Sequence, residues 1–269
     1  MKNIKIGFIG TGNMAQAMLN GFLNNSEIRS KNIFIYDLDE ELVNRLEQKY
    51  MLTKVKDKKE LVISCDVVIL SVKPNIYPMI INEIKKDINF NKIVISITPG
   101  FSIEELKSYF GKDVKIVRTM PNTPAMVGEG MTAYSIDETL NTVEEKTVRN
   151  ILKSFGKIEK VDEKLMDVVV ATSGSSPAYV YMFIEALADG AVRGGMPRDK
   201  AYIFAAQAVL GSAKMVLETG IHPGALKDMV CSPGGTTIEA VAHLEKTGFR
   251  SSIIEAMESC IEKAKKMNL

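Results

Sequence analysis

The chain has 269 residues, of which 46% are hydrophobic and 25% are charged, so it can form one large core or two modest ones. Its 34 Lys and Arg residues nearly balance 33 Asp and Glu residues, and the net charge of +1 argues against a protein that binds nucleic acid or a membrane surface. Its apolar runs are shorter than the roughly 20 residues that a membrane-spanning helix needs.

Residues 4–15 predict a buried strand, a glycine turn and the start of a helix. Gly10 permits the tight turn, Gly12 lets a phosphate approach bare backbone, and Ala15 is the small third residue of a Gly-x-Gly-x-x-Gly/Ala pattern. A pyrophosphate can then bind the unpaired N–H groups at the helix start, where the macrodipole favours negative charge. Taken alone, the two glycines can equally serve a structural turn.

Asp37 closes the second apolar strand, residues 33–36, near the distance at which dinucleotide-binding units carry an acidic residue. A carboxylate at this point can accept hydrogen bonds from a ribose 2′-OH. The position of the glycine motif at the first strand, together with Asp37, favours dinucleotide binding over a purely structural turn.

Strands and helices then alternate through the first half of the chain, and residues 40–50 carry apolar residues at helical spacing. Three further strands are each followed by a turn that contains proline, and the first two of them are nearly unbroken apolar runs, typical of a sheet covered on both faces. The strands are residues 66–72, 93–97 and 114–118, and the turns are residues 73–75, 98–100 and 120–124. The alternation predicts an α/β fold with a Rossmann-type, doubly wound parallel sheet, whose ligands bind at the carboxyl ends of the strands. Each turn taken singly can also be a simple connector.

The pattern changes after Gly156, and residues 163–269 contain no convincing strand. Long helices are predicted at residues 177–194 and 198–218, and shorter ones after His222, near Thr237 and near Gly248. We therefore expect two domains, a dinucleotide-binding domain of residues 1–161 and an all-helical domain of residues 162–269. The helices are rich in Ala and Gly and make a thin core for a monomer, which favours helices interleaved between two subunits. A compact monomeric bundle is the alternative.

A second candidate site lies in the helical half, in residues 232–237. Ser232, Gly234, Gly235, Thr236 and Thr237 lead directly into a helical pattern, so their backbone N–H groups can form a cradle for a small anion such as a carboxylate. The alternative is an ordinary helix cap with a flexible approach. Residues 173–179 have a similar pattern and the same two interpretations.

The three cysteines, Cys65, Cys231 and Cys260, are odd in number, far apart and without metal-ligand spacing. We therefore expect no metal site, reduced thiols and, since the chain opens on a strand rather than a signal peptide, a cytoplasmic location.

Motifs along the whole chain resemble those of the pyrroline-5-carboxylate reductase family, whose members make proline by reducing a cyclic imine with NAD(P)H. The most specific motif is at residues 233–237. The motifs are residues 10–15, 71–74, 120–124, 173–179, 189–191 and 226–237. The resemblance implies an oxidoreductase for the last step of proline biosynthesis, with a helical dimerisation domain, active sites shared between two subunits and, in some members, assembly of dimers into decamers.

The resemblance also implies roles for individual residues. It assigns substrate contacts to Thr236, to Thr237, whose hydroxyl would lie near the ring nitrogen as the catalytic group, and more weakly to Glu163. Lys58 would lie near the adenosine ribose. The other implied cofactor contacts are Ile9, Gly10, Thr11, Gly12, Asn13, Met14, Ser71, Val72, Lys73, Pro74, Ser96, Ile97 and Thr98.

Asp37 departs from the family pattern, because NADPH-preferring relatives tend to carry a small or basic residue there. A carboxylate would repel the 2′-phosphate of NADPH, which Lys58 could partly offset, so we expect a preference for NADH.

The histidine content bears on the chemistry. Reduction of a ketone needs a proton donor, whereas a cyclic imine can arrive already protonated. The chain has only His222, in a turn, and His243, on a helix without an evident partner. The helix from Pro177 also lacks the lysine of related hydroxyacid dehydrogenases, which counts against a 3-hydroxyacid dehydrogenase. The carboxylate cradle counts against a non-catalytic NAD(H)-binding regulator. A 3-hydroxyacid dehydrogenase and a non-catalytic NAD(H)-binding regulator are the two alternatives to an imine reductase.

Overall fold

The computed structural model describes residues 3–24 and 28–267, and it divides into two compact units. The first, here called the sheet unit, runs to Ser175 and includes the segment from Cys260 onward. The second, the helical unit, spans Ser176–Ser259. The predicted boundary at residue 161 follows the last strand, whereas the division by packing falls at residue 175, because residues 163–175 still contact the strands of the sheet unit.

Within the described residues, eight strands form one sheet in the order β3-β2-β1-β4-β5-β6-β7-β8. The strands are β1 (Ile6–Ile9), β2 (Ile33–Tyr36), β3 (Thr53–Lys54), β4 (Val67–Leu70), β5 (Ile93–Ser96), β6 (Lys115–Met120), β7 (Gly130–Ile136) and β8 (Gly156–Lys160). Neighbouring strands from β3 to β6 are parallel, which confirms the Rossmann-type fold and the three strands predicted between residues 66 and 118.

The sheet departs from the parallel arrangement at one place, where β7 runs antiparallel to β6. The connection of residues 121–129 contains only a short 3-10 helix, Thr123–Val127. A parallel neighbour needs a crossover of about a dozen residues or more, so this short connection can only return the chain antiparallel. β8 then pairs parallel with β7.

The central strands are buried because helices cover both faces of the sheet. Successive side chains of a strand point to opposite faces, and accordingly Phe8 and Ile69 enter one apolar cluster while Ile9 and Val68 enter another. The helices of this unit are α1 (Asn13–Asn24), α2 (Glu40–Tyr50), α3 (Lys58–Ser64), α4 (Tyr77–Ile84), α5 (Ile103–Phe110), α6 (Thr142–Lys153) and α7 (Met166–Val169), which continues into a π-helical turn (Val170–Gly174).

The second half is helical, as predicted, and residues 163–267 contain no strand. Its helices are α8 (Ser176–Arg193), α9 (Arg198–Thr219), α10 (Pro223–Val230), α11 (Thr236–Lys246) and α12 (Phe249–Met267), whose last turns belong to the sheet unit. Among residues 176–259, the buried apolar side chains are Ala188, Ala201 and Ala205. None of the described helices is both long enough and apolar enough to cross a membrane.

Candidate active site

The glycine turn lies where the order of the strands reverses, at the carboxyl ends of β1 and β4. Gly10 has a φ of 97°, and a Cβ at this position would lie 2.6 Å from the backbone oxygen of Ser71, just after β4. The Ser71 hydroxyl donates a hydrogen bond to the Ile9 carbonyl at 3.1 Å. Only glycine therefore fits here, and the two strand ends are held against each other.

Gly12 and the first turn of α1 form an open cradle of backbone. A Cβ at Gly12 would meet no atom within 4 Å, so the peptide can be approached closely from outside. The first N–H groups of a helix have no partner within the helix, and they carry the positive end of its dipole. The backbone at Gly12, Asn13 and Met14 thus fits the pyrophosphate of a dinucleotide.

Thr11 has a different role from the residues that follow it. It is fully buried, its backbone N–H donates to Oδ2 of Asp37 at 2.6 Å, and its hydroxyl lies 3.0 Å from the same oxygen. The backbone N–H of Gly10 donates to the carbonyl of Tyr36 at 2.8 Å. The end of β2 therefore fixes the glycine turn, and the N–H of Thr11 is already engaged.

Three strand ends line one groove of about 300 Å³ at this edge of the sheet. The groove brings together many of the predicted cofactor residues. They are Gly12, Asn13, Met14, Ser71, Val72, Lys73, Ile97 and Thr98. Of the other predicted residues, Ile9, Gly10 and Ser96 are buried and Pro74 starts a 3-10 helix, so these side chains shape the groove from behind or beside it.

A second cavity, of about 290 Å³, lies beyond the end of β2. Asp37 lines it, which is where the predicted ribose contact should be. Lys54 and Lys56 also line it, and sequence reasoning missed both, although each belongs to or follows the short strand β3 beside β2. Their position could have been found only by recognising this two-residue strand.

Lys58 does not line this cavity. Its Nζ pairs with Oε2 of Glu83 at 2.8 Å and lies 5.0 Å from the ring centroid of Tyr36. Burial lowers the pKa of Lys58, but the hydrogen bond to Glu83 and the neighbouring Tyr36 outweigh this effect, so the pKa is raised overall. The ammonium group is thus held by the protein itself.

Glu163, the weaker substrate candidate, makes its contacts within the sheet unit. Its Oε1 accepts hydrogen bonds from the backbone N–H of Ile103 at 2.7 Å and from Nη1 of Arg118 at 3.1 Å. Arg118 is buried in β6 and also lies 3.8 Å from Asp167. The carboxylate of Glu163 therefore connects β6 to the start of α5.

The predicted anion loop leads into α11 of the helical unit. Gly235 is the N-cap of α11 and provides no side-chain hydrogen bond to the helix, and its own N–H donates to the Ser232 carbonyl at 3.0 Å. Gly234 has a φ of 65°, and a Cβ there would meet no atom within 4 Å. Thr236 is exposed and Thr237 is half-buried. The uncapped N–H groups at the start of α11 fit a small carboxylate.

The histidines and acidic residues do not suggest another centre. His222 is the N-cap of α10, where its Nδ1 accepts from the backbone N–H of Gly224 at 3.0 Å. Across residues 3–24 and 28–267, no cluster of three or more His, Cys, Asp or Glu side chains has an arrangement that could hold a metal ion.

Comparison with known proteins identifies the family. The profile described as "Pyrroline-5-carboxylate reductase dimerisation" matches residues 163–267, and "NADP oxidoreductase coenzyme F420-dependent" matches residues 5–100. The pyrroline-5-carboxylate reductase of Escherichia coli (strain K12) is 48% identical over 264 residues, which cover 98% of each chain. The chain belongs to the pyrroline-5-carboxylate reductase family. The Arabidopsis thaliana pyrroline-5-carboxylate reductase is 38% identical, and the match covers 99% of this chain and 96% of the Arabidopsis chain.

Solved structures of pyrroline-5-carboxylate reductases have the same fold along their whole length. The crystal structure of Plasmodium falciparum pyrroline carboxylate reductase with NADP bound is 37% identical, covers 100% of both chains and has a TM-score of 0.92. The enzyme from Coxiella burnetii is 31% identical with a TM-score of 0.91, also over 100% of both chains. The resemblance recognised in the sequence motifs is thereby confirmed, as is membership of an oxidoreductase family that uses a nicotinamide cofactor.

Proposed function

We propose that the chain reduces Δ1-pyrroline-5-carboxylate to L-proline, the last step of proline biosynthesis, with a reduced nicotinamide dinucleotide. The observation that carries this proposal is the 48% identity to the Escherichia coli reductase over 98% of both chains. The open backbone at Gly12 and the groove formed by three strand ends support it from the cofactor side. The uncapped start of α11 supports it from the substrate side.

In the proposed mechanism the helical unit holds the substrate by its acid group. The N–H groups of Gly234 and Thr236 bind the carboxylate, whereas the N–H of Gly235 donates to the carbonyl of the exposed Ser232 and shapes the loop. The hydroxyl of Thr237 accepts a hydrogen bond from the protonated ring nitrogen and orients the C=N bond. Thr237 is the catalytic residue of this proposal because it touches the reacting group.

Reduction of the imine requires little proton chemistry from the protein. A nicotinamide cofactor held in the groove would supply a hydride to the imine carbon. The electron pair of the C=N bond moves to the nitrogen, which already carries its proton, so a neutral secondary amine results and no enzyme acid is consumed. α8 contains no lysine, and His222 caps α10, which agrees with a site that works by positioning.

NADH is the proposed preferred cofactor. Asp37 lines the cavity at the end of β2, where its charge repels a 2′-phosphate. Lys54 and Lys56 line the same cavity and attract a phosphate, so NADPH is used as well, but less efficiently. The Plasmodium falciparum relative has NADP bound, which supports some use of the phosphorylated cofactor.

The proposed assembly is a homodimer with active sites shared between subunits, which can associate further into a decamer. Its support is the matched dimerisation region and the apolar surface of the helical unit. Side chains such as Met182, Ile203, Phe204 and Leu217 are each more than 60% exposed. A patch of this kind on helices is typical of a subunit interface.

The decisive experiment is a steady-state assay that follows NADH oxidation at 340 nm with Δ1-pyrroline-5-carboxylate, with a 3-oxoacid (the ketone product of a 3-hydroxyacid), or without a second substrate. Turnover of the imine alone supports the proposal. Turnover of the ketone would indicate a hydroxyacid dehydrogenase, and cofactor binding without any turnover would indicate a regulator; either result would overturn it.

A further inference from the structure

We propose that Glu163 is a positioning residue for the cofactor groove and not a ligand of the substrate. It holds the first backbone N–H of α5, and through it the loop of residues 97–102 that joins β5 to α5. This inference rests on the proposed function, because it assigns the groove to the nicotinamide cofactor. It differs from the substrate role that the family resemblance implied for the same residue.

The start of α5 shows what Glu163 does. Ile103 is the first residue of α5, so its N–H has no partner within the helix, and Oε1 of Glu163 accepts it at 2.7 Å. A negative charge at this end of a helix is also favoured by the macrodipole. Ser102 and Glu105 complete the same helix start as a reciprocal capping box. The carboxylate of Glu163 is thus the tertiary contact that fixes where α5 begins.

Arg118 fixes the carboxylate in turn. Its guanidinium lies 3.1 Å from Oε1 of Glu163 and 3.8 Å from Oδ1 of Asp167, and the residue is only 5% exposed. A buried cation of this kind is costly unless it is paired and hydrogen-bonded. Arg118 lies on β6 directly beside Ser96 of β5 in the sheet register, so the pair is anchored at the strand that carries the groove.

The loop between Ile97 and Ile103 is held at several points. A Cβ at Gly100, which has a φ of 93°, would lie 3.0 Å from the carbonyl oxygen of Met267 at the end of α12. Phe101 stacks on Tyr77 with ring centroids 5.1 Å apart, and the Tyr77 hydroxyl donates to the Leu70 carbonyl at 2.7 Å. Because Ile97 and Thr98 line the groove at one end of this loop, its anchor at Ile103 affects their position.

The same contacts argue against a substrate role. Oε1 of Glu163 already accepts two hydrogen bonds, one from the main chain, and the charge of the carboxylate is balanced by Arg118. A protonated imine held by this carboxylate would have to compete with a guanidinium that cannot lose its charge. The carboxylate is therefore used by the fold rather than offered to a ligand.

The test compares Glu163→Ala, Glu163→Gln and the control Glu104→Ala, which removes an exposed carboxylate from the same first turn of α5. NADH affinity is measured by fluorescence titration without substrate, and KM for both substrates by steady-state kinetics. We expect Glu163→Ala to raise the Kd for NADH about tenfold, which is the size of effect expected for loss of one hydrogen bond to a charged group. The KM for the imine should rise less than about twofold. Glu163→Gln keeps the acceptor oxygen and should restore the Kd to within about twofold of wild type.

Three outcomes overturn the proposal. The first is an NADH affinity that Glu163→Ala leaves unchanged. The second is a KM for the imine that Glu163→Gln raises while the NADH Kd stays constant, which would show a direct charge contact with the substrate. The third is an equal loss of NADH affinity in Glu104→Ala. If Glu163→Ala does not fold, Glu163→Gln decides between the two roles by the same two constants. Because NADH binding is measured without the imine, failure of the wild type to reduce the imine would count against the proposed function and not against this inference.

Discussion

The sheet unit and the helical unit differ in how much apolar surface they bury. In the sheet unit, β1 and β4 are buried at every position, and two apolar clusters fill the space on either side of the sheet. In the helical unit, residues 176–259 bury three alanines as their apolar cluster, while large side chains on α8 and α9 are exposed. The first unit has a core of its own, whereas the second presents the apolar surface that a core would need. The helical unit, unlike the sheet unit, therefore has the kind of apolar surface that the partner of the proposed dimer would cover.

A matched pair of substitutions tests whether the apolar face of the helical unit is a subunit interface. Phe204 in α9 and Phe90 in the sheet unit are 65% and 62% exposed. We expect Phe204→Glu to weaken dimerisation at least about 30-fold, the size of an interface hot spot, because the new charge would be buried between subunits. Phe90→Glu should leave the assembly unchanged. Sedimentation equilibrium across a dilution series measures both, and equal behaviour of the two variants would contradict a helical interface.

A second pair of substitutions tests the sheet unit at its glycine turn. Gly10→Ala should destabilise the fold by about 2–4 kcal/mol, because its Cβ would collide with the Ser71 backbone at a positive φ. Gly12→Ala should fold like wild type, since its Cβ meets nothing, yet lose NADH affinity roughly tenfold or more by blocking the approach of the phosphates. Thermal unfolding and NADH titration separate the two effects. A Gly12→Ala variant with wild-type affinity would show that the pyrophosphate does not bind there.

Thr237 tests the loop of the helical unit. Thr237→Ala should lower kcat/KM for the imine about tenfold to 100-fold through loss of the orienting hydroxyl, while the Kd for NADH stays within about twofold. Thr237→Ser keeps the hydroxyl and should recover most of the activity. Steady-state kinetics and NADH titration are the measurements. An equal loss of NADH affinity in Thr237→Ala would contradict the assigned role.

Substitutions of Asp37 test whether this carboxylate selects NADH over NADPH at the end of β2. Asp37→Ser should shift the NADPH-to-NADH ratio of kcat/KM about tenfold toward NADPH, because a repulsive charge is removed from the ribose cavity. It should also weaken binding of both cofactors, because the Thr11 N–H loses its acceptor. Asp37→Asn keeps an acceptor oxygen and should change the ratio with less loss of affinity. An unchanged ratio in both variants would show that Asp37 does not select the cofactor.

The smallest expected effect concerns pH and the sheet unit alone. Burial raises the pKa of Asp137, but the hydrogen bonds from Lys107 and Thr139 outweigh this effect, so the pKa is lowered overall. A carboxylate with a lowered pKa stabilises the fold above its unfolded value of about 3.9, and the stabilisation is lost as the pH falls through the folded value. Asp137→Asn should therefore cost about 1–2 kcal/mol at pH 7 and progressively less below about pH 4. Urea unfolding at several pH values measures the difference, and a constant difference would contradict this assignment.

The sequence predicted the parts of the fold that depend on local pattern. Unbroken apolar runs located β4 and β5, and helical patterns with proline-containing starts located α8 and α9. Both signals lie in neighbouring residues, because strand burial and helix starts each impose a local pattern. The reversal at β7 was missed, since strand direction depends on the length of a connection whose ends were not yet known. The contacts of residues 163–175 with the rest of the sheet unit could not be read from the sequence for a similar reason, because their partners Arg118 and Asn122 are distant along the chain.

In the candidate site, too, the features with a local sequence pattern were predicted and those that depend on tertiary contacts were not. The glycine motif and the family resemblance located residues at three strand ends, and eight of the predicted cofactor residues line one groove there. Their role as cofactor contacts stays a prediction. Which side chains are already engaged could not be read from the motif. Thr11 is bound by Asp37, Lys58 by Glu83 and Glu163 by Arg118, and each of these contacts joins segments that the sequence keeps apart. Their roles as ligands or as structural supports depend on tertiary contacts alone.

The contact of Gly100 with Met267 has a practical consequence for handling the protein. The last turns of α12 pack with the sheet unit, with Ala264 only 3% exposed, and they end against the loop that continues from Thr98. Purification tags or fluorescent fusions joined directly after this helix would therefore crowd the loop at Gly100. A long flexible spacer keeps such additions away from the loop.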